Sequence, residues 1–277
     1  MGRLHIAGAG VSTAAMRKTP PPGELPGPGE TLDQLIGDWW VFQLRGGHRF
    51  STDDLLTAWR AAVARPDATR CLDLGCGIGS VGLYTLGILG RDDARLVGVE
   101  AQDISFGLAT RSVRRNGLAG RVRLVHGDLR DPGVVPSDEG PFELITGSPP
   151  YIPIGKGVAS PHPQRAACRM ELRGSIVDYA LAARRWLAPH GRFTFCMAAA
   201  DPRIAEAVEA GGFVVTEWLD VVFREGNAPL IAVVTCRRAE DEGGPAPERS
   251  VITIRDASGR MSAEYAALRA SFGFSVE

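Results

Sequence analysis

None of the five cysteines, Cys71, Cys76, Cys168, Cys196 and Cys236, stands in a C-x-x-C pair, which argues against a zinc ribbon or a disulfide framework. They lie mostly in apolar runs, as reduced thiols in a cytoplasm do, and no metal site is expected. Charge of one sign is also missing: 31 Lys and Arg face 32 Asp and Glu. A uniformly basic nucleic-acid binder is thereby excluded, so any such contact has to use a local patch. No apolar run is long enough to span a bilayer, and no internal repeat points to a solenoid.

What is present is a core. Of 277 residues, 44% are hydrophobic, enough for one large domain. Residues 1–30 form a Pro/Gly-rich leader ending in Thr19-Pro20-Pro21-Pro22; Arg3, Arg17 and Lys18 with no acid before Glu24 also fit a transit peptide, but the composition favours a disordered tail. Residues 31–277 read as a single domain: a hairpin and helix over 38–66, a core over 67–239, an acidic linker Asp241 to Glu248, and a strand and helix over 250–277.

The hairpin is expected from Asp38–Leu44 and His48–Phe50, turning at Arg45-Gly46-Gly47. A helix follows from about Thr52 to Val63. Strands Arg70–Leu74, Arg95–Glu100, Val122–His126, Phe142–Thr146 and Arg192–Met197 then alternate with helices Ser80–Leu89, Ile104–Leu118 and Ser175–Ala188. Helix Pro202–Ala210 and strands Phe213–Val222 and Leu230–Cys236 complete the core, and Ser262 caps a last helix. This pattern predicts an α/β fold with a doubly wound, mostly parallel, seven-stranded sheet carrying an antiparallel edge hairpin.

In such a sheet, ligands bind beyond the carboxyl ends of the strands where strand order reverses. The first core strand ends in Asp73-Leu74-Gly75-Cys76-Gly77-Ile78-Gly79, whose glycines permit a tight turn into a helix N-terminus. The spacing Asp-x-Gly-x-Gly-x-Gly differs from the G-x-G-x-x-G of dinucleotide sites. It resembles motif one of the class I S-adenosylmethionine-dependent methyltransferases, whose fold is Rossmann-like. That resemblance implies S-adenosyl-L-methionine as cofactor, with Asp73, Gly75, Gly77 and Gly79 around its methionine part, Glu100 on the ribose hydroxyls and Asp128 at the adenine.

Downstream, Ser148-Pro149-Pro150-Tyr151 resembles the Asn/Asp/Ser-Pro-Pro-Tyr motif of amino methyltransferases. These act on adenine N6, cytosine N4 or a glutamine amide, nitrogens whose lone pair is delocalised. The Ser148 hydroxyl and the Pro149 carbonyl are expected to accept the two N–H groups, Pro150 to stiffen the turn, and Tyr151 to stack on the planar acceptor. The segment Phe50-Ser51-Thr52-Asp53-Asp54-Leu55-Leu56 is similar to one in the bacterial valine-tRNA adenine-N6 methyltransferases, which implies Thr52 and Asp53 beside the cofactor. Asp54 stands where that family usually has Gly, and Ser148 where it has Asn.

The loop from Ile152 to Gly174 is locally basic, and its Pro163-Gln164-Arg165 matches the same family. Gln164, Arg165 and Arg169 are therefore the expected contacts to RNA flanking a flipped base. Together these features point to methylation of adenine N6 in RNA, with a tRNA anticodon loop as substrate, in the cytoplasm. A glutamine N5 enzyme, a DNA amino methyltransferase and an inactive cofactor-binding subunit are the alternatives. Against the first two stand the expected lack of a helical domain before the core and of room for a target-recognition domain.

Overall fold

The computed structural model describes residues 19–158, 160–243 and 246–274. A two-stranded sheet comes first, from β1 (Glu30–Ile36) and β2 (Trp39–Leu44), with Ile36 opposite Trp39 across the loop Gly37-Asp38. Gly37 has φ +52, a left-handed conformation that costs glycine nothing. The hairpin expected at Gly46-Gly47 is therefore displaced upstream. Residues 46–50 form an irregular link instead, and Gly47 is needed there because a Cβ would lie 2.2 Å from Gln164 Oε1.

The main sheet has eight strands: β3 (Arg70–Leu74), β4 (Arg95–Glu100), β5 (Val122–His126), β6 (Phe142–Gly147), β7 (Leu187–Ala198), β8 (Phe213–Val222), β9 (Ile231–Arg238) and β10 (Glu248–Thr253). Their order is β10-β8-β9-β7-β6-β3-β4-β5. One more strand is present than the expected seven. The antiparallel β8 and β9 do not form the edge, because β10 adds in parallel outside β8 and buries Ile252 completely.

Period-two alternation sets the layers. Cys71, Leu96, Leu144 and Cys196 face a cluster shared with α1 (Thr52–Ala64), α2 (Ser80–Leu89) and α7 (Ala263–Ser271). Their chain neighbours Leu72, Val97, Ile145 and Phe195 face α5 (Ile176–Trp186) and α6 (Arg203–Ala210). Each fully buried aliphatic or aromatic side chain in these layers contributes roughly 1.5–3 kcal/mol. Helix starts follow local chemistry: the Asp178 carboxylate accepts the Ser175 N–H at 2.7 Å and the Ser262 hydroxyl accepts the Tyr265 N–H at 3.1 Å, both N-caps.

The hairpin is anchored on α3 (Asp103–Arg115). The Trp40 N–H donates to Asn116 Oδ1 at 2.8 Å and the Phe42 N–H to Ser112 Oγ at 3.0 Å. The same helix holds part of the expected leader: Arg111 pairs with Glu30 at 2.7 Å and also with Glu24, and Arg115 donates to the Pro21 carbonyl. The leader's residues 1–18 lie outside the described residues.

Candidate active site

Strand order reverses between β3 and β6, since the chain runs from β3 outward through β4 and β5 but from β6 outward through β7. Register then fixes the site. Leu74 pairs with Gly147 and also with Val99, while Glu100 pairs with His126. Gly75, Glu100, Gly127 and Ser148 consequently emerge side by side at one end of the sheet.

A solvent-open cleft holding about 880 Å³ of empty space lies there, bordered by Gly75, Gly77, Glu100, Gln102, Gly127 and Ser148 among others. A second, holding about 600 Å³ of space likewise open to solvent, is bordered by Asp53, Ser148, Pro149, Pro150, Tyr151 and Arg169. His48, Asp54, Ser148, Pro150 and Cys168 border both. The two chambers share a wall that contains Ser148.

In the larger chamber Glu100 is nearly buried, its Oε2 accepting the Gly77 N–H at 2.8 Å and its Oε1 the Gln102 N–H at 2.6 Å. These bonds fix the carboxylate and leave each oxygen a further lone pair. Burial raises its pKa. Gly77 has φ +57 and nothing within 4 Å of a notional Cβ, so the loop is concave toward the chamber. Gly75 borders the chamber and also makes room for Tyr179 of α5, since a Cβ there would sit 2.0 Å from Tyr179 Oη. Asp73 is engaged on both oxygens, accepting the Thr146 hydroxyl at 2.8 Å and the Gly82 N–H at 2.9 Å. It locks the end of β3 to β6 and α2, and burial pushes its carboxyl up to about 6.

The open glycine cradle and the fixed, nearly buried carboxylate fit an S-adenosyl-L-methionine molecule. Of the residues expected at the cofactor, Thr52, Asp53, Gly79 and Asp128 do not border it. Asp128 is held by Arg130 at 2.5 Å, which lowers its pKa. Thr52 Oγ1 accepts from the Tyr265 hydroxyl at 3.4 Å, Gly79 is the N-cap of α2 at φ +88, and Asp53 borders the second chamber instead. Arg165, expected to contact RNA, donates to the Gly47 carbonyl at 3.2 Å and borders neither chamber.

Around the smaller chamber, Ser148 Oγ lies 3.3 Å from Cys196 Sγ. The Tyr151 hydroxyl donates to Asp53 Oδ2 at 3.0 Å and lies 3.2 Å from the same sulfur. Arg203 of α6 donates to the Tyr151 carbonyl at 3.3 Å while pairing with Asp201 at 2.5 Å and with Glu171. The Ser-Pro-Pro-Tyr turn is thus clamped from three elements, α1, β7 and α6. Cys196, an inward β7 residue, carried no sequence signal beyond strand alternation.

The basic loop contains a short helix, α4 (Pro163–Arg169), that composition had not revealed. Gln164 is completely buried, accepting the His48 N–H at 2.7 Å and donating to Ser105 Oγ at 3.2 Å. It is a clasp that closes the larger chamber rather than an open RNA contact. Glu171, which could have neutralised the loop arginines, pairs with Arg203. Among the described residues Arg169 and Arg173 have no ion-pair partner. No group of His, Cys, Asp and Glu suited to a metal occurs among the described residues, and no helix there is long and apolar enough to cross a membrane.

No family model matches the chain. It is 25% identical over 167 residues to a tRNA1(Val) (adenine(37)-N6)-methyltransferase of Actinobacillus pleuropneumoniae, covering 60% of this chain and 67% of that one. It is 27% identical over 151 residues to a release factor glutamine methyltransferase of Mycobacterium tuberculosis, covering 50% and 47%. A 4-amino-L-phenylalanine/4-methylamino-L-phenylalanine methyltransferase of Streptomyces pristinaespiralis is 32% identical over 186 residues, covering 58% and 59%. The chain thus spans about half to two thirds of the length of these relatives. A solved structure described as a predicted O-methyltransferase from Agrobacterium tumefaciens superposes with a TM-score of 0.57 at 18% identity, covering 82% of this chain and 99% of that one, which supports the fold. In sequence the chain is similar to S-adenosylmethionine-dependent N-methyltransferases, and its fold is Rossmann-like.

Proposed function

We propose that the protein methylates the exocyclic N6 amine of adenine in structured RNA, with a tRNA anticodon loop as the substrate and the cytoplasm as its place of work. The observation that carries this reading is the wall shared by the two chambers, with Ser148 bordering both. One chamber suits the cofactor and the other a flat acceptor. S-adenosyl-L-methionine, when bound, supplies an electrophilic methyl group on sulfur.

The chain's own residues supply the rest. Glu100 and the Gly75 to Gly79 turn hold the donor, as the proposal has it, and the Ser148 hydroxyl and Pro149 carbonyl accept the two amine hydrogens. Withdrawing those hydrogens from the ring plane frees the nitrogen lone pair, so catalysis rests on positioning and electrostatics. Tyr151, fixed through Asp53 and Cys196, offers its ring to the base. Arg169, which borders the acceptor chamber and has no ion-pair partner among the described residues, supports contact with a phosphate beside the extruded base, a local use of charge that suits a chain of net charge −1. The tRNA relative agrees in its named substrate.

A glutamine amide is the second reading, favoured by the release-factor relative and by the same two-acceptor geometry. The experiment is transfer of a labelled methyl group from S-adenosyl-L-methionine to total tRNA, DNA or a release factor, followed by digestion of the product. Label in N6-methyladenosine is expected. Label in methylglutamine or N4-methylcytosine would overturn the RNA adenine assignment, and label nowhere would mark an inactive cofactor-binding subunit.

A further inference from the structure

Asp54 occupies the first turn of α1 and borders both chambers. Only 6% of it is exposed. Its Oδ2 accepts the Ser80 hydroxyl at 2.8 Å and the Ser51 N–H at 3.3 Å, whereas Oδ1 has no protein donor among the described residues. Ionising a buried carboxyl with one open oxygen is costly unless a cationic partner arrives. The groups around it do not provide one. Asp53 on the same helix and Asp73 on β3 repel its charge. Tyr84 on α2 and Cys168 on α4 both feel it as an anion. Glu100 on β4 borders the larger chamber, and His48, before α1, is kept neutral by burial. Arg173 borders the larger chamber and acts on Glu100, Asp128 and Cys168, and Arg169 borders the smaller one and acts on His48; neither makes an ion pair with Asp54 among the described residues.

A cavity with this balance selects a cation. The donor carries a fixed positive charge on sulfur that the thioether product lacks. Because the methyl group has to pass from one chamber to the other, the sulfur belongs at the wall they share, where Asp54 stands. Resting on the methyltransferase reading, we propose that Asp54 recognises the sulfonium charge of S-adenosyl-L-methionine and so makes the protein prefer the charged donor to the neutral product S-adenosylhomocysteine.

Proton linkage follows from that placement. Burial and the neighbouring acids push the Asp54 carboxyl up to about 8, so at neutral pH the ligand-free protein holds a proton there. A cation beside it favours the ionised form and expels that proton. The neutral thioether leaves the proton in place, which also lets product leave readily.

Titration calorimetry with each ligand at pH 7, in two buffers of different ionisation enthalpy, counts the protons released by the wild-type protein. The expected result is close to one proton released with the donor and close to none with S-adenosylhomocysteine. In Asp54→Asn the donor-to-product affinity ratio should fall on the order of 10-fold with product affinity little changed. Ser80→Ala, which loosens the carboxylate without removing its charge, should keep the preference. Equal proton release with both ligands, or equal loss of affinity for both in Asp54→Asn, overturns the proposal while leaving the methyltransferase reading intact. Wild-type protein that binds neither ligand overturns both. If Asp54→Asn fails to fold, the wild-type proton counts decide.

Discussion

At the scale of single residues, Ser148 is the side chain on which the proposed transfer turns. Removing its hydroxyl in Ser148→Ala takes away one of two acceptors for the amine hydrogens, and single-turnover transfer should slow on the order of 10²–10³-fold while cofactor affinity holds. Equal losses in rate and cofactor binding would show that Ser148 merely shapes the chamber. Asp54 gives a second prediction, on stability. Its folded pKa of about 8 exceeds the ~3.9 of an unfolded chain, so the native state binds more protons and stability falls as pH rises between those values. His48, lowered by burial, acts oppositely and only below its unfolded value of about 6.5. Between pH 7 and 8 Asp54 shares this slope with the buried thiols, whose raised pKa values act in the same direction: the wild-type melting temperature should drop over that interval, and Asp54→Asn should make the drop shallower. A wild-type midpoint that rises over the same interval would contradict the assignment.

At the scale of elements, α4 walls both chambers through Gln164, Cys168 and Arg169. Gln164 ties this helix to the His48 backbone and to Ser105, and hydrogen bonds of this kind contribute about 0.5–1.5 kcal/mol each. Gln164→Ala should therefore accelerate amide exchange in α4 by roughly 10-fold and weaken cofactor binding, with the melting temperature of the sheet little changed. Uniform acceleration across all strands would show instead that Gln164 is an ordinary core residue. The clasp was invisible in sequence because α4 is only 7 residues long and is held by side chains rather than by an apolar stripe. The long elements were legible for the converse reason. β3, α2, β4, β5 and β8 start and stop where their hydrophobic runs, glycines and caps indicate. The hairpin was misplaced because Gly46-Gly47 carries the stronger turn signal, while the pairing of β1 depends on contacts with α3 that no local pattern encodes.

At the scale of the whole molecule, sheet order does most to build the site. The order of strands brings the Gly loop and the Ser-Pro-Pro-Tyr turn together across 73 positions of chain, as the Asp73 to Thr146 bond shows. That much could be anticipated from the spacing of the motifs on alternating strands and helices. The division into two chambers, the Tyr179 oxygen that requires Gly75, and the open oxygen of Asp54 could not, because each depends on side chains converging from three or more elements. The closing segment belongs to this scale as well. Leu268 of α7 is completely buried in the cluster that also contains Leu55 and Leu56 of α1, so Leu268→Ala should cost about 2–5 kcal/mol, read by denaturant unfolding. A change below ~1 kcal/mol would mean that α7 is not part of the core.

The most direct test of the account is the position of the sulfur atom in a crystal structure of the S-adenosylhomocysteine complex. The account predicts a thioether at the shared wall, facing the Ser148 hydroxyl with room between them for one methyl group and one nitrogen. A sulfur turned away from residue 148, or a ligand seated outside the chamber bordered by Glu100, would contradict it.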